Sequence, residues 1–275
     1  MIAIILLTGL ALRLGAFFLI EPSSTSYDES KYYSRAAALA AGRLDMLGDR
    51  KAPASMWYYA GAFRVFGTHP NVARLANVVA GALLPWIVWR LGRRFAGRRA
   101  GLLAALGAAV YPNLVFFGAS ILSEGLYVPL AVGALAATAA ARDDRRPRTA
   151  ALAGMLLGAA TLTREVAALF VPLAAIWLLT GKGVRPARWL GAALFVAGFA
   201  VVVAPWSIRQ SQRVGSFVFV SQTTGENLLV GNVHAAPKRV SEPTDGPAKE
   251  ARPAVPDYRT YRSLGKTTAE REAAA

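Results

Sequence analysis

The chain has 275 residues, of which 55% are hydrophobic and only 17% charged, with a mean hydropathy of +0.37. Soluble domains carry about a quarter charged residues, so this excess of apolar residues, gathered in long blocks, marks a polytopic membrane protein. The net charge of +15 does not mark a nucleic-acid binder, because most arginines flank apolar blocks. The lack of cysteine excludes disulfides and thiolate sites, and two histidines, His69 and His234, argue against a histidine-rich metal centre.

The first block, 2–20, is read as a retained span rather than a signal peptide, since it has no basic start and no small-x-small cleavage site after it. Arg13 lies inside it and is expected to snorkel or to face a polar cavity. An external loop over 21–70 follows, opening with Tyr27-Asp28-Glu29-Ser30-Lys31-Tyr32-Tyr33. Its pattern predicts two juxtamembrane helices. One covers 28–44, with Tyr32, Ala36, Leu39 and Ala40 on a common face. The other covers 54–66, with Pro53 in its first turn and aromatics suited to the membrane interface.

Further apolar blocks fall at 71–89, 100–117, 121–141, 149–163, 165–180 and 188–206. The fold class is therefore all-α and polytopic, with about seven spans of ~17–25 residues. Thr163-Arg164-Glu165 splits two short blocks, which predicts two short helices meeting at a polar tip. Arg90 to Arg99, Arg142 to Arg148, and Lys182 with Arg185 and Arg188 form three dense clusters. Alternating spans put all three on one side, and the positive-inside rule makes that side cytoplasmic. The basic residues within 21–70 run against that rule, but the shorter, denser loops weigh more. The domains are a membrane module over 1–206, an external loop over 207–232, and a Pro-, Ala- and Lys-rich tail over 233–275. In that tail Thr267-Thr268-Ala269-Glu270 reads as a capping box that opens a helix. The tail is thus expected to begin a further C-terminal part, against the alternative of a frayed end.

Four groups of residues are candidates for chemistry. Asp28 and Glu29 form a carboxylate pair at a membrane boundary beside Tyr27 and Tyr32. One can act as general base on an acceptor hydroxyl while the other orients a partner or a metal. The bland reading is a helix N-terminus, where acids are favoured. Arg164, at a break in an apolar block, suits a bidentate phosphate contact, or simply neutralises Glu165. Glu124 begins a span and either neighbours the Asp28 site across the cavity or is simply an acid favoured at a helix N-terminus. Arg209, after Pro205-Trp206, is placed for a lipid phosphate or as an interfacial anchor. The missing Walker A, GxGxxG and HExxH motifs disfavour an ATP-driven machine and a zinc hydrolase.

The order and spacing of these features resemble the GT-C polytopic glycosyltransferases, in particular bacterial relatives of the dolichyl-phosphate-mannose protein mannosyltransferases and the lipid A aminoarabinose transferase. The resemblance rests on Leu12-Arg13-Leu14, Tyr27-Asp28-Glu29, Ala73-Arg74-Leu75-Ala76-Asn77, Tyr111-Pro112, Leu122-Ser123-Glu124, Leu162-Thr163-Arg164, Pro205-Trp206 with Arg209, and the 225–232 segment. It implies an inverting transfer of a sugar from a polyprenyl-phosphate donor to an acceptor glycan, lipid or protein. The reaction would occur on the periplasmic face of a bacterial inner membrane. By that comparison Asp28 is the base, Glu29 the second acid, Glu124 and Arg164 line the cavity, and Arg209 holds the donor phosphate. Gln210 departs from the asparagine that often follows that arginine. A divalent metal, magnesium or manganese, is allowed at Asp28 and Glu29 but not demanded. A non-catalytic polyprenyl-phosphate binder or flippase, and a structural membrane subunit, are the alternatives.

Overall fold

The computed structural model describes residues 1–20, 27–43, 51–144, 147–181 and 184–221. The 225–232 segment, the 233–275 tail with its capping box, and Lys182 lie outside the described residues. Every regular element among the described residues is helical: α1 (Ile2–Leu19), α2 (Tyr27–Ala40), α3 (Ala54–Phe66), α4 (Pro70–Val110), α5 (Pro112–Phe117), α6 (Ser123–Asp144), α7 (Pro147–Thr163), a 3-10 turn (Glu165–Leu169), α8 (Phe170–Leu179) and α9 (Arg185–Val214). Four of these, α1, α4, α6 and α9, are long and apolar enough to cross a membrane. The chain divides into two units, Met1–Gly48 with Ala52–Trp206, and Asp49–Lys51 with Ser207–Ala275.

α4 is one element in length but two limbs in shape. Ala96 and Gly97 leave the helical conformation, and Gly97 takes φ +81°, which only glycine adopts without strain. The limbs fold back on each other, with Gly92 against Gly101 so closely that a Cβ on Gly101 would meet the Arg93 nitrogen at 2.7 Å. The turn falls inside the first arginine cluster, as the break between two apolar blocks predicts. Tyr111-Pro112 then ends the second limb and opens α5.

The first juxtamembrane helix is shorter than its sequence pattern predicts, ending at Ala40 rather than at residue 44. Gly42 takes φ +83°, its N–H bonds the Leu39 carbonyl at 3.0 Å, and the Arg43 N–H bonds that of Ala38 at 3.0 Å. This pair of bonds is a Schellman motif, and it stops the helix. α3 keeps the predicted bounds. It buries Met56, Tyr59 and Phe63, and Trp57 meets Trp206 edge-on at 5.2 Å between centroids.

Arg13 neither snorkels nor lines an open cavity. It is fully buried and donates to the carbonyls of Gly9 (2.9 Å), Ala108 and Ala109 (both 3.3 Å). Ala108 lies four residues before Pro112, so no helical N–H reaches its carbonyl. The arginine supplies the missing donor, in a slot left by Gly81 and Gly118.

α7 packs on α9 through glycine. A Cβ on Gly154 would overlap the Phe195 carbonyl oxygen, one on Gly158 would meet Val202 at 2.9 Å, and one on Gly198 would overlap the Ala151 carbonyl. Lipid gives no hydrophobic drive between helices, so such close backbone approach is what holds them. Around this contact Ala134, Ala153, Leu157, Ala160 and Phe195 belong to one hydrophobic core. Thr161 and Thr163 turn their hydroxyls onto the carbonyls four residues back, both at 2.8 Å, which spares them an unpaired polar group in an apolar setting.

One described arginine from each cluster, Arg94, Arg142 and Arg188, lies at one end of this unit; Arg145 and Arg146 lie outside the described residues. Arg94 pairs with Asp143 at 2.8 Å, Arg142 donates to the Thr180 carbonyl at 3.4 Å, and Arg188 donates to that of Leu179 at 3.2 Å. Ser123 and Thr163 lie at the opposite ends of α6 and α7. A 22-residue helix such as α6 is about 33 Å long, so roughly one bilayer core separates the two ends.

Candidate functional site

Asp28 and Glu29 both lie in the first turn of α2, but successive helical positions diverge by about 100°. Asp28 is exposed, while Glu29 is 5% exposed. Glu29 Oε1 accepts the Ile121 N–H at 2.7 Å, and its Oε2 lies 3.9 Å from Nη2 of Arg74. Arg74 is fully buried and also donates to the Ile20 carbonyl at 3.3 Å. Three residues further along α4, Asn77 places its Nδ2 2.7 Å from the Ser120 carbonyl and 2.8 Å from the Tyr59 hydroxyl. Tyr59 in turn donates to the Leu122 carbonyl at 2.9 Å. Burial holds the Tyr59 phenol far above its ordinary pKa, so it acts as a neutral donor. The 120–122 stretch is thus held by side chains from α2, α3 and α4.

That stretch delivers Ser123 and Glu124 to the start of α6. There Arg164, in extended conformation between α7 and the 3-10 turn, pairs through Nη1 with Glu124 Oε1 and reaches Ser123 Oγ at 3.4 Å. Ser123 donates to Glu124 Oε2 at 3.1 Å. Tyr32, one turn after Asp28, joins the group by a hydrogen bond with Ser123. Its pKa is raised, chiefly by burial and further by the charges of Glu124 and Asp28, against the lowering effect of Ser123 and Arg164. Asp28, Tyr32, Glu124 and Arg164, far apart in sequence, therefore share one neighbourhood. Tyr27 opens α2, and its side chain lies outside the described residues.

The Arg164–Glu124 pair is partly solvated, with side chains 42% and 27% exposed. Such a pair contributes at most about 1 kcal/mol, so the guanidinium is available to an anion that offers better geometry. Beside it begins an apolar cavity of about 650 Å³ between α6, α7 and α8. Tyr127, 5.9 Å below the Arg164 guanidinium, lines one end, and Thr138, Trp177 and Phe95 line the other. From Tyr127 to Thr138 is about 16 Å along the helix. The arrangement sets a partly solvated guanidinium at one end of an elongated apolar cavity.

Arg209 is exposed and belongs to the second unit, where its neighbour Gln210 is fully buried. In that unit Ser207 donates to the Phe219 carbonyl, and Ser211 accepts the Val218 N–H at 2.9 Å. Glu165 begins the 3-10 turn and is half-buried. Among the described residues no group of three or more acidic, histidine or cysteine side chains is gathered for a metal. Arg74, Asn77, Tyr59 and Ser123 were not among the sequence candidates. The available signal was Arg74 and Asn77, two polar residues at i, i+3 on one face of an apolar helix, which must find buried partners.

No curated protein matches the chain closely enough to count as a relative. Residues 50–208 match the family model described as dolichyl-phosphate-mannose-protein mannosyltransferase. The matched span holds Glu124 and Arg164, begins after Asp28, Glu29 and Tyr32, and ends one residue before Arg209. Because it covers more than half of the chain and runs from α3 into α9, the chain belongs to the dolichyl-phosphate-mannose-protein mannosyltransferase family, and is a multi-pass membrane protein of glycosyltransferase kind.

Proposed function

We propose that the chain transfers a sugar from a polyprenyl-phosphate donor to an acceptor hydroxyl, with inversion, on the face opposite the arginine clusters. That face is the periplasmic side of a bacterial inner membrane. The observation that carries this reading is the junction of Arg164 with the apolar cavity below Tyr127. The prenyl chain occupies the cavity and the phosphate displaces Glu124 from Arg164. Arg209 is assigned to donor-phosphate binding on the strength of the family resemblance alone. In this reading the 1–206 module spans the membrane seven times, the two limbs of α4 counting separately and α7 and α8 crossing as shorter helices.

The chemistry needs few groups. Asp28 accepts the proton of the acceptor hydroxyl, whose oxygen bonds the anomeric carbon from the side opposite the phosphate. The glycosidic C–O bond breaks, the electron pair leaves on the phosphate oxygen, and arginine stabilises the charge that develops there. Glu29 acts as a positioning residue, since its oxygens serve Ile121 and Arg74 and hold the α6 entrance in place. Glu124 keeps Arg164 oriented until the donor arrives. Asp28 and Glu29 diverge, and Arg74 already sits beside Glu29, so no step is routed through a metal. The acceptor is a glycan, lipid or protein hydroxyl.

The test is sugar transfer from a synthetic polyprenyl-phosphate sugar by the purified protein and by Asp28→Asn. The variant is expected to retain donor binding and to lose transfer by about 10²–10⁴-fold. Full transfer by Asp28→Asn would remove it from the mechanism. Donor binding without transfer by the unaltered chain would favour the non-catalytic binder.

A further inference from the structure

A second groove runs along another flank of α6, between α4, α6 and α7, with a volume of about 810 Å³. Its polarity runs opposite to that of the first. Tyr58 and Val79 lie at one end, and Arg90, Arg93 and Arg94 at the other. From Val79 to Arg90 or Arg94 the α4 wall is about 17–22 Å long, slightly more than one hydrocarbon leaflet of about 15 Å. The wall between is apolar, and Val79, Leu83 and Trp86 are exposed, so the groove opens sideways towards lipid. At its mouth Arg90 stands over the Trp86 ring at 5.2 Å and Arg93 over that of Trp89 at 4.6 Å. Asp143 answers Arg94 at 2.8 Å and Arg142 at 3.6 Å. Among the described residues three arginines and no carboxylate line the groove, which makes its mouth positive.

Orientation by positive charge needs arginines only somewhere in the loop. Here three of them close the end of an apolar slot one leaflet deep, which is the outline of an anionic lipid. We propose that this groove seats an anionic glycerophospholipid from the leaflet on the arginine side. One acyl chain lies along α4 and α6, and the phosphate rests on Arg90 and Arg93. The occupant differs from the sugar donor, whose headgroup position at Arg164 is at the other end of α6, and the proposal stands whether or not the transfer reading holds.

The test is native mass spectrometry of the full chain, delipidated and reloaded from micelles holding equal phosphatidylglycerol and phosphatidylcholine. The unaltered chain is expected to retain phosphatidylglycerol preferentially. The double variant Arg90→Ala/Arg93→Ala is expected to bind it about tenfold more weakly or worse. Arg98→Ala/Arg99→Ala, in the same loop but away from the groove, is expected to bind it normally. Gly133→Leu puts bulk into the groove at a position where a Cβ meets nothing nearer than Leu156 Cδ1 at 3.9 Å, and it is expected to weaken retention severalfold while remaining folded. Equal retention of phosphatidylcholine, equal loss in both arginine pairs, or unchanged binding in Arg90→Ala/Arg93→Ala or in Gly133→Leu would each overturn the proposal. So would displacement of phosphatidylglycerol from this groove by polyprenyl phosphate at lower concentration.

Discussion

Glu29 of α2 accepts the backbone N–H of Ile121 at 2.7 Å, across 92 residues of sequence. The bond fixes the entrance of α6, and with it Ser123 and Glu124, relative to the turn of α2 that presents Asp28. Two adjacent carboxylates thereby take unlike tasks, one buried as a clamp and the other exposed at the site.

Removing the clamp is expected to cost far more stability than removing its neighbour. Glu29→Ala leaves Arg74 buried without a counter-charge and Ile121 without an acceptor, a loss of about 3–5 kcal/mol. Asp28→Ala, at an exposed position in the first turn of α2, is expected to cost at most about 1 kcal/mol. Thermal unfolding of both variants in the same detergent checks the contrast, and equal losses would contradict the division of labour.

Arg164 and Glu124 invite an opposite-signed pair of results. Arg164→Ala is expected to weaken donor binding by about 10–100-fold, the worth of a charge-assisted contact of ~1.5–3 kcal/mol, with little change in stability because the pair is partly solvated. Glu124→Gln removes the competitor of the phosphate and is expected to leave donor binding unchanged or tighter. Titration with a short-chain polyprenyl phosphate measures both. Weaker binding in Glu124→Gln would place the carboxylate on the sugar instead.

The α7–α9 contact predicts a steric penalty. Gly154→Ala drives a methyl into the Phe195 carbonyl and is expected to destabilise by about 1–3 kcal/mol. Gly191→Ala, also in a helix but facing open space, is expected to be neutral or to stabilise by up to about 1 kcal/mol. Detergent-phase melting temperatures of the two variants make the comparison.

The buried tyrosines set an alkaline limit. Burial pushes Tyr58 up to about 12 and holds Tyr59 well above its ordinary value. In the unfolded chain both ionise near 10, so above that pH the unfolded state sheds protons that the folded state keeps. Stability from these groups is complete below pH 10 and falls as pH rises, by up to about 1.4 kcal/mol per pH unit for each tyrosine still neutral. The loss from Tyr58 levels off near 12. Unfolding curves at pH 8, 10 and 11 are expected to be flat and then to fall, with a shallower fall in Tyr58→Phe.

The sequence by itself determined what depends on neighbours along the chain. Apolar blocks bounded by arginines specify helices and their alternation. Pro53 marks the start of α3, and Thr163-Arg164-Glu165 marks a break, because charge, capping and backbone freedom act within a turn or two. Even so, Gly42 ends α2 before its apolar face runs out, since a left-handed residue stops a helix whatever its periodicity. Only the tertiary structure decided which polar groups meet. Arg13 finds carbonyls of α4 rather than water, Glu29 turns inward to Ile121, and Arg164 meets Glu124 across 40 residues. These pairings follow from how closely glycine and alanine faces let helices approach, and from the need of each buried polar atom for a partner. Neither is encoded in the spacing of residues along one helix.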